Sequence, residues 1–469
     1  MNILLINPPS ENEIIGNNPT IIEEERGYNP PLGLLYIAAY IEKHHPVQIL
    51  DTQVEKISYY DLPHIISDKN PDIVGITAMT LTMLDVLKTI QVVKSTNEKI
   101  KIVLGGPHVH IYPDETIVQP GVDFLVLGEG ELAFKELVDN IHNKEMLKTI
   151  KGLVFKDNGV IVNTGTRDLI GDLDTLPFPA RHLTQYMKYS SLLAKRAPIT
   201  TMFTSRGCPY GCSFCDRPHL GKKFRWRSAE NVVDEMESCI NMGIHEFFLY
   251  DDTFTVKNQR VHEICDEIIR RKLNIGWDIR TRVDNVDKKM LKKLKLANCE
   301  RIHYGVEAGT DRVIKVLNKG INIELVLKVF KMTKDMGIST LAYFMIGNPT
   351  ETKEDIMTTF KFMKKLNPDY VHITILTPFP ATKIYLDGLK NKIFINDYWR
   401  EFAKNPKPDF KPPYWDVIFS KEELDELLIY GYKSYYIRSK YILKRLMSLN
   451  SFDEFKKKTK AGLKVLFMR

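Results

Sequence analysis

The chain has 469 residues, of which 43% are hydrophobic and 27% charged, with a formal net charge of +7. That composition excludes a disordered or fibrous chain and gives length for about three domains. No apolar run reaches the roughly 18 residues of a membrane span, and the start, Met1-Asn-Ile-Leu-Leu-Ile-Asn7, lacks a basic region and a cleavage site, so it reads as a buried strand rather than a signal peptide. Six cysteines without a disulfide framework point to a reducing, cytoplasmic setting.

Residues 1–145 alternate short apolar runs with amphipathic stretches. Asn2–Asn7, Val47–Asp51, Asp72–Thr77, Lys101–Leu104 and Asp123–Leu127 read as strands, and Leu32–Lys43, Tyr59–Ser67, Met83–Lys94 and Glu131–His142 have helical spacing. Such alternation predicts a parallel sheet with helices on both faces and a ligand beyond the carboxyl ends of its strands. The strand-end loops are Asn7-Pro8-Pro9-Ser10, Thr77-Ala-Met-Thr80, Gly105-Gly106-Pro107-His108 and Gly128-Glu129-Gly130-Glu131. Small residues and hydroxyls there suit close backbone approach to a large flat ligand, with His108 and His110 as polar residues on an exposed loop. None of the loops matches a dinucleotide or phosphate-loop motif.

Residues 146–195 read as a connector: a hairpin over Gly152–Val162 turning at Asn158-Gly159, then a proline-fixed extended stretch, Asp172–Arg181. Alternation resumes over 196–385. Strands are predicted at Ile199–Thr204, Glu246–Tyr250, Ile275–Arg280, Arg301–Val306, Ser339–Ile346 and Tyr370–Leu376, with helices between them. Six strands with this spacing fit a partial (β/α)6 barrel, and polar residues recur where the strands end, on the rim where barrel active sites are built. Cys239, Cys265 and Cys299 read as buried free thiols. Residues 386–469 are helical, aromatic and basic, with a capping box at Ser420-Lys-Glu-Glu423. Eleven Lys/Arg against two Asp/Glu from Lys433 to Arg469 offer a peripheral contact to an anionic membrane or an acidic substrate; the plainer reading is a solvated helical face. No recognition module accompanies this charge, so nucleic acid is not expected.

The chemistry concentrates in Ser205-Arg-Gly-Cys-Pro-Tyr-Gly-Cys-Ser-Phe-Cys-Asp-Arg-Pro218. Cys208, Cys212 and Cys215 are spaced C-x3-C-x2-C, and the flanking Gly and Pro let the backbone bend until the sulfurs converge. Convergent thiols mean metal. His219 would complete four ligands for zinc, whereas an iron–sulfur cube on three thiolates keeps one iron for a ligand other than protein.

This spacing, with Phe214 before the last cysteine, resembles the signature of radical S-adenosylmethionine (SAM) enzymes. The resemblance implies a 4Fe-4S cluster whose open iron chelates SAM and whose electron cleaves it to a 5′-deoxyadenosyl radical. It places Phe214, Asp251, Asp252, Arg280, Arg282, Glu307 and Asn348 against SAM: Glu307 toward the ribose or amine, Arg280 or Arg282 toward the carboxylate. Rim salt bridges are the alternative reading of these charges. Gly347-Asn-Pro-Thr-Glu351 resembles a turn of the same family, with Thr350 replacing its usual glycine.

Pro30–Ala39, Gly105–His108 and Gly128–Glu131 resemble the cobalamin-binding Rossmann-like domain that precedes many such cores, which assigns Asn7, Pro8, Thr77, Thr80, Gly105, Gly106, His108, Gly128 and Glu129 to a corrin. The D-x-H-x-x-G motif is absent, so the corrin is held without a protein histidine or the domain is a relic. The layout over 1–390 resembles the branch with anaerobic magnesium-protoporphyrin monomethyl ester cyclase and C- or P-methyltransferases. The expectation is therefore an α/β protein: a cobalamin domain over 1–145, a linker over 146–195, a TIM-type radical SAM barrel over 196–385 and a helical basic region over 386–469. The expected activity is methyl transfer to an unactivated carbon of a small-molecule or lipid-like substrate, with a flavodoxin- or ferredoxin-type electron donor. Oxidative cyclisation and a non-enzymatic corrinoid or iron–sulfur carrier are the alternatives.

Overall fold

The computed structural model describes residues 1–14, 27–215, 217–447 and Gly462. The first sheet is built from β1 (Ile3–Asn7), β2 (Val47–Asp51), β3 (Ile73–Thr77), β4 (Lys101–Gly105), β5 (Phe124–Val126), β6 (Leu153–Asp157) and β7 (Val160–Asn163), in the order β2-β1-β3-β4-β5-β6-β7. The first five are parallel. Ile3, Leu4, Leu5 and Ile6 are all buried, as continuous apolar runs must be when helices cover both faces. The strand order reverses between β1 and β3, so their carboxyl ends, Asn7 and Thr77, open a crevice at the switch point.

The hairpin expected in the connector instead extends this sheet. β6 pairs antiparallel with the three-residue β5 and buries Leu153, Val154 and Phe155. An otherwise bare sheet edge accounts for its place.

The second sheet contains β8 (Ile199–Met202), β11 (Glu246–Leu249), β12 (Gly276–Thr281), β13 (Cys299–Glu307), β14 (Ser339–Ile346) and β15 (Tyr370–Ile375). Between β8 and β11 lies a small antiparallel ladder, β9 (Ser205–Arg206) with β10 (Arg225–Trp226). The order β15-β14-β13-β12-β11-β8 is parallel throughout and leaves both edges unpaired, the partial barrel predicted from the strand count.

The free edge of β15 is sealed by tyrosines. Ser420 and Glu423 form the expected capping box and start the helix Lys421–Tyr436. Its Tyr432 hydroxyl accepts from Ile373 N and donates to Ile373 O, both at 2.9 Å. Tyr436 does the same to Val371, at 2.9 and 2.8 Å. Each phenol thus supplies the donor and acceptor a neighbouring strand would have offered. Tyr432 and Tyr435 of this aromatic helix are therefore internal, Tyr430 is exposed, and much of the basic run from Lys433 to Arg469 lies outside the described residues.

The tail also ties the two sheets together. Gln119 Nε2 donates to Ala403 O and Lys404 O, at 3.0 Å each, and Trp399 is buried with Tyr385 and Tyr112. No helix of the described residues is long and apolar enough to cross a membrane.

Candidate active site

The cysteine loop begins where β9 ends, and its entry is fixed by Asp251. That carboxylate accepts from Thr204 N (2.7 Å) and Ser205 N (3.1 Å) and from both side-chain hydroxyls. Gly207 has φ +83°, and a Cβ there would lie 2.4 Å from Lys223 O, so only glycine passes. The far side is pinned to the end of a barrel helix: Ser213 N donates to Leu317 O (3.0 Å) and Asn318 Nδ2 to Gly211 O (2.7 Å).

These restraints bring Cys208, Cys212 and Cys215 into one cleft with Phe214, Asp252, Arg280, Arg282 and Glu307. Arg282 Nη1 is 3.4 Å from Cys212 Sγ, and its guanidinium also lies over Tyr210 and pairs with Asp284. Cys208 Sγ is 3.7 Å from Thr253 Oγ1. Burial pushes the Cys215 thiol up to about 11, so a bound cation is what would hold it as the thiolate. Asp252 pairs with Arg217, Oδ1 to Nη1, at 2.7 Å.

Several lining residues carry no sequence motif. Lys319 pairs with Glu307 and adds a buried cation to the rim. Glu307 sits at φ +69°, and a Cβ on Gly305 would lie 2.4 Å from its Oε1 and 2.5 Å from Lys319 Nζ. That glycine therefore makes room for the ion pair. His303 and Tyr343 also line the cleft, His303 Nδ1 lying 3.0 Å from the Tyr343 hydroxyl. The signal for them was alternation of polar side chains along β12 and β13: Asp278 with Arg280, Arg301 with His303.

Three expected ligand contacts are placed elsewhere. Asp251 has both oxygens committed to the loop entry and does not line the cleft. Asn348 is buried in its own turn, its amide nitrogen donating to Met345 O and Glu351 Oε2. Glu129 is held between Arg206 and Arg225 and also accepts from Ile170 N, so its carboxylate joins the two sheets rather than facing a ligand. His219, the fourth ligand a zinc site would need, stands against His110 at 6.5 Å between rings.

The corrin side has the small-residue rim expected of it. Gly106 has φ +112°, and a Cβ there would come within 2.7 Å of Ala78 O. Beside it, a Cβ on Gly105 or Gly128 would be in ordinary van der Waals contact, 3.9 Å from Val126 O and His219 O respectively. Asn7 is drawn inward, its Nδ2 donating to Asp51 at 2.8 Å, and Pro8 O accepts from Gln53. Thr77 ends β3, and the Thr80 hydroxyl lies 3.1 Å from His108 Nδ1. His108 is fully buried on a short helix, Pro107–Ile111, rather than on an exposed loop. Among the described residues, His108 Nε2, His110 Nδ1 and His219 Nδ1 are buried without hydrogen-bond partners. Small residues and these unsatisfied polar atoms on the rim fit a large polar ligand.

A three-thiol barrel cleft joined to a Rossmann-like domain defines the class of protein. The Radical SAM superfamily pattern matches residues 202–363, and the B12 binding domain pattern matches residues 20–138. An uncharacterized methyltransferase of Pyrococcus horikoshii is 36% identical over 96% of this chain and 96% of its own. The anaerobic magnesium-protoporphyrin IX monomethyl ester cyclase of Rubrivivax gelatinosus is 30% identical over 82% of this chain and 71% of its own. The cobalamin-dependent SAM radical enzyme OxsB shares the fold at TM-score 0.75 and 18% identity, covering 99% of this chain and 72% of that one. The chain belongs to the radical SAM superfamily, in the branch that carries a B12-binding domain. Its cofactors are a 4Fe-4S cluster, SAM and cobalamin.

Proposed function

We propose that this enzyme transfers a methyl group from SAM, by way of cobalamin, to a carbon of a small-molecule substrate. The observation that carries the reading is the cleft in which three thiols meet Arg282, Glu307 and Lys319, with Gly128 of the first sheet packed by His219 of the segment that follows the thiols. When bound, the cluster supplies the electron that cleaves SAM, and cobalamin supplies a methyl carrier.

The chain's own residues hold and orient. Cys208, Cys212 and Cys215 would bind the cluster, leaving one iron for SAM. Arg282, beside Cys212, faces the SAM carboxylate, and Glu307, steadied by Lys319, accepts from the ribose or amine. Phe214 offers an apolar edge, and Asp252 with Arg217 borders the outer side of the cleft. Thr77, Thr80, Gly105, Gly106 and Gly128 form the corrin rim. The electron donor is of flavodoxin or ferredoxin type and the setting cytoplasmic. Membrane contact by the basic tail would involve residues beyond the described ones.

The test is incubation of reconstituted, cobalamin-loaded protein with methyl-deuterated SAM. Methyl transfer predicts a trideuteromethyl group on the bound cobalamin. SAM cleavage with no labelled cobalamin would reject methyl transfer in favour of cyclisation, the activity named for the Rubrivivax relative.

A further inference from the structure

Among the residues lining the cleft is a cation with no ion-paired carboxylate among the described residues. Register between β12 and β13 sets Asp278 beside Arg301 and Arg280 beside His303, and β14 adds Tyr343 next to Gly305. Asp278 Oδ2 meets Arg301 Nη1 at 3.3 Å and His303 Nε2 at 3.2 Å. All three side chains are buried. Burial pushes the His303 pKa down, so the ring is neutral. Its Nε2–H donates to Asp278, and its Nδ1 accepts from the Tyr343 hydroxyl, which commits the Tyr343 proton. Two guanidinium charges, Arg280 and Arg301, thus face one carboxylate.

Arg280 is the cation left over. Its guanidinium lies flat on the Tyr250 ring, 3.9 Å from the centroid, and among the described residues no carboxylate pairs with it. Stacking and a side-chain hydrogen bond to Tyr250 hold the plane, and the remaining N–H donors can fork onto two oxygens. Arg280 is half-buried, and a charge partly withdrawn from water gains from a partner. Arg280 also stands two positions before Arg282, about 7 Å further down the strand. Arg282 is the one beside Cys212, so an anion on Arg280 is separate from the SAM carboxylate.

We propose that Arg280 anchors the substrate, and that the substrate carries an oxyanion, a carboxylate or phosphate-type group, which this guanidinium receives in the barrel. This rests on the functional reading above.

Calorimetric titration of anaerobically reconstituted protein tests it with three probes: propionate, methylphosphonate and S-adenosylhomocysteine. Wild type should bind at least one small anion. Arg280→Met should weaken it about ten-fold or more, the scale of a charge-assisted hydrogen bond, and Arg280→Lys should recover part of that. Affinity for S-adenosylhomocysteine should stay put in both variants, and cluster absorbance reports that they are folded. Unchanged anion affinity in Arg280→Met, or wild type that binds neither anion, would overturn the proposal. Loss of S-adenosylhomocysteine binding would overturn it too, by giving Arg280 to SAM. Formation of 5′-deoxyadenosine is measured separately: its absence, with anion binding still dependent on Arg280, would remove the radical SAM reading and leave the oxyanion site standing.

Discussion

Arg206, in the segment that leads into Cys208, places its Nη2 2.6 Å from Glu131 Oε1 on the rim of the other sheet. Its Nη1 is 2.8 Å from Glu129 Oε1, Arg225 Nη1 meets Glu129 Oε2 at 2.8 Å, and Tyr36 lies under the Arg206 guanidinium. All four charged side chains are buried. The segment leading into the cysteine loop is therefore registered directly on the Gly128–Glu131 rim of the first sheet. Burying four charges is a poor source of stability, because desolvation offsets most of the attraction. Their effect is to fix geometry.

Removing one partner leaves the other charged and buried. Glu131→Gln should destabilise the protein by about 3–5 kcal/mol, read as a lower midpoint in denaturant. The double replacement Glu131→Leu with Arg206→Met should cost less than either single change. A double mutant no more stable than the singles would contradict this.

Much of this was legible in the sequence, and the reasons for the rest are specific. Continuous apolar runs such as Ile3–Ile6 announce two-sided burial, and the cysteine spacing is readable because its chemistry is local. Glu129 looked like a ligand residue because its partners, Arg206 and Arg225, lie far along the chain. Lys319 follows a short helix without any motif and gains its role only when β13 brings Glu307 beside it. Tyr432 and Tyr436 of the helix Lys421–Tyr436 looked like a surface since nothing local shows that β15 lacks a neighbour.

Glu307 supplies the second prediction. Glu307→Gln keeps the shape of the side chain and removes its charge, so Lys319 and SAM both lose a charge-assisted hydrogen bond. SAM affinity should fall about 10- to 150-fold, from 1.5–3 kcal/mol per such bond, while cluster absorbance is unchanged. Equilibrium dialysis with labelled SAM measures it, and undiminished affinity would place SAM elsewhere.

Sealing of β15 can be tested by deleting single oxygen atoms. Tyr432→Phe leaves Ile373 N and O without partners, and Tyr436→Phe does the same to Val371. Each should cost about 1–3 kcal/mol. Faster amide exchange should appear at the affected residue first, and uniform exchange along β15 would argue that the tyrosines only fill space.

Glu351 should make stability depend on pH. Burial raises its carboxyl to about 7 from an ordinary 4.5. A folded pKa above the unfolded one means that the native state holds its proton longer. The stabilisation is complete below about pH 4.5 and falls away up to pH 7, by about 3 kcal/mol in all. Glu351→Gln, which mimics the protonated form, should flatten that slope relative to wild type. Parallel stability–pH curves for the two proteins would show that the carboxyl titrates normally.

The most direct measurement of the central claim is 5′-deoxyadenosine released from SAM by the anaerobically reconstituted, reduced enzyme. Wild type should release it, and Cys215→Ala, which removes one of the three cluster thiols, should release none. Wild type with an intact cluster absorbance and no 5′-deoxyadenosine, or Cys215→Ala with undiminished release, would contradict the account.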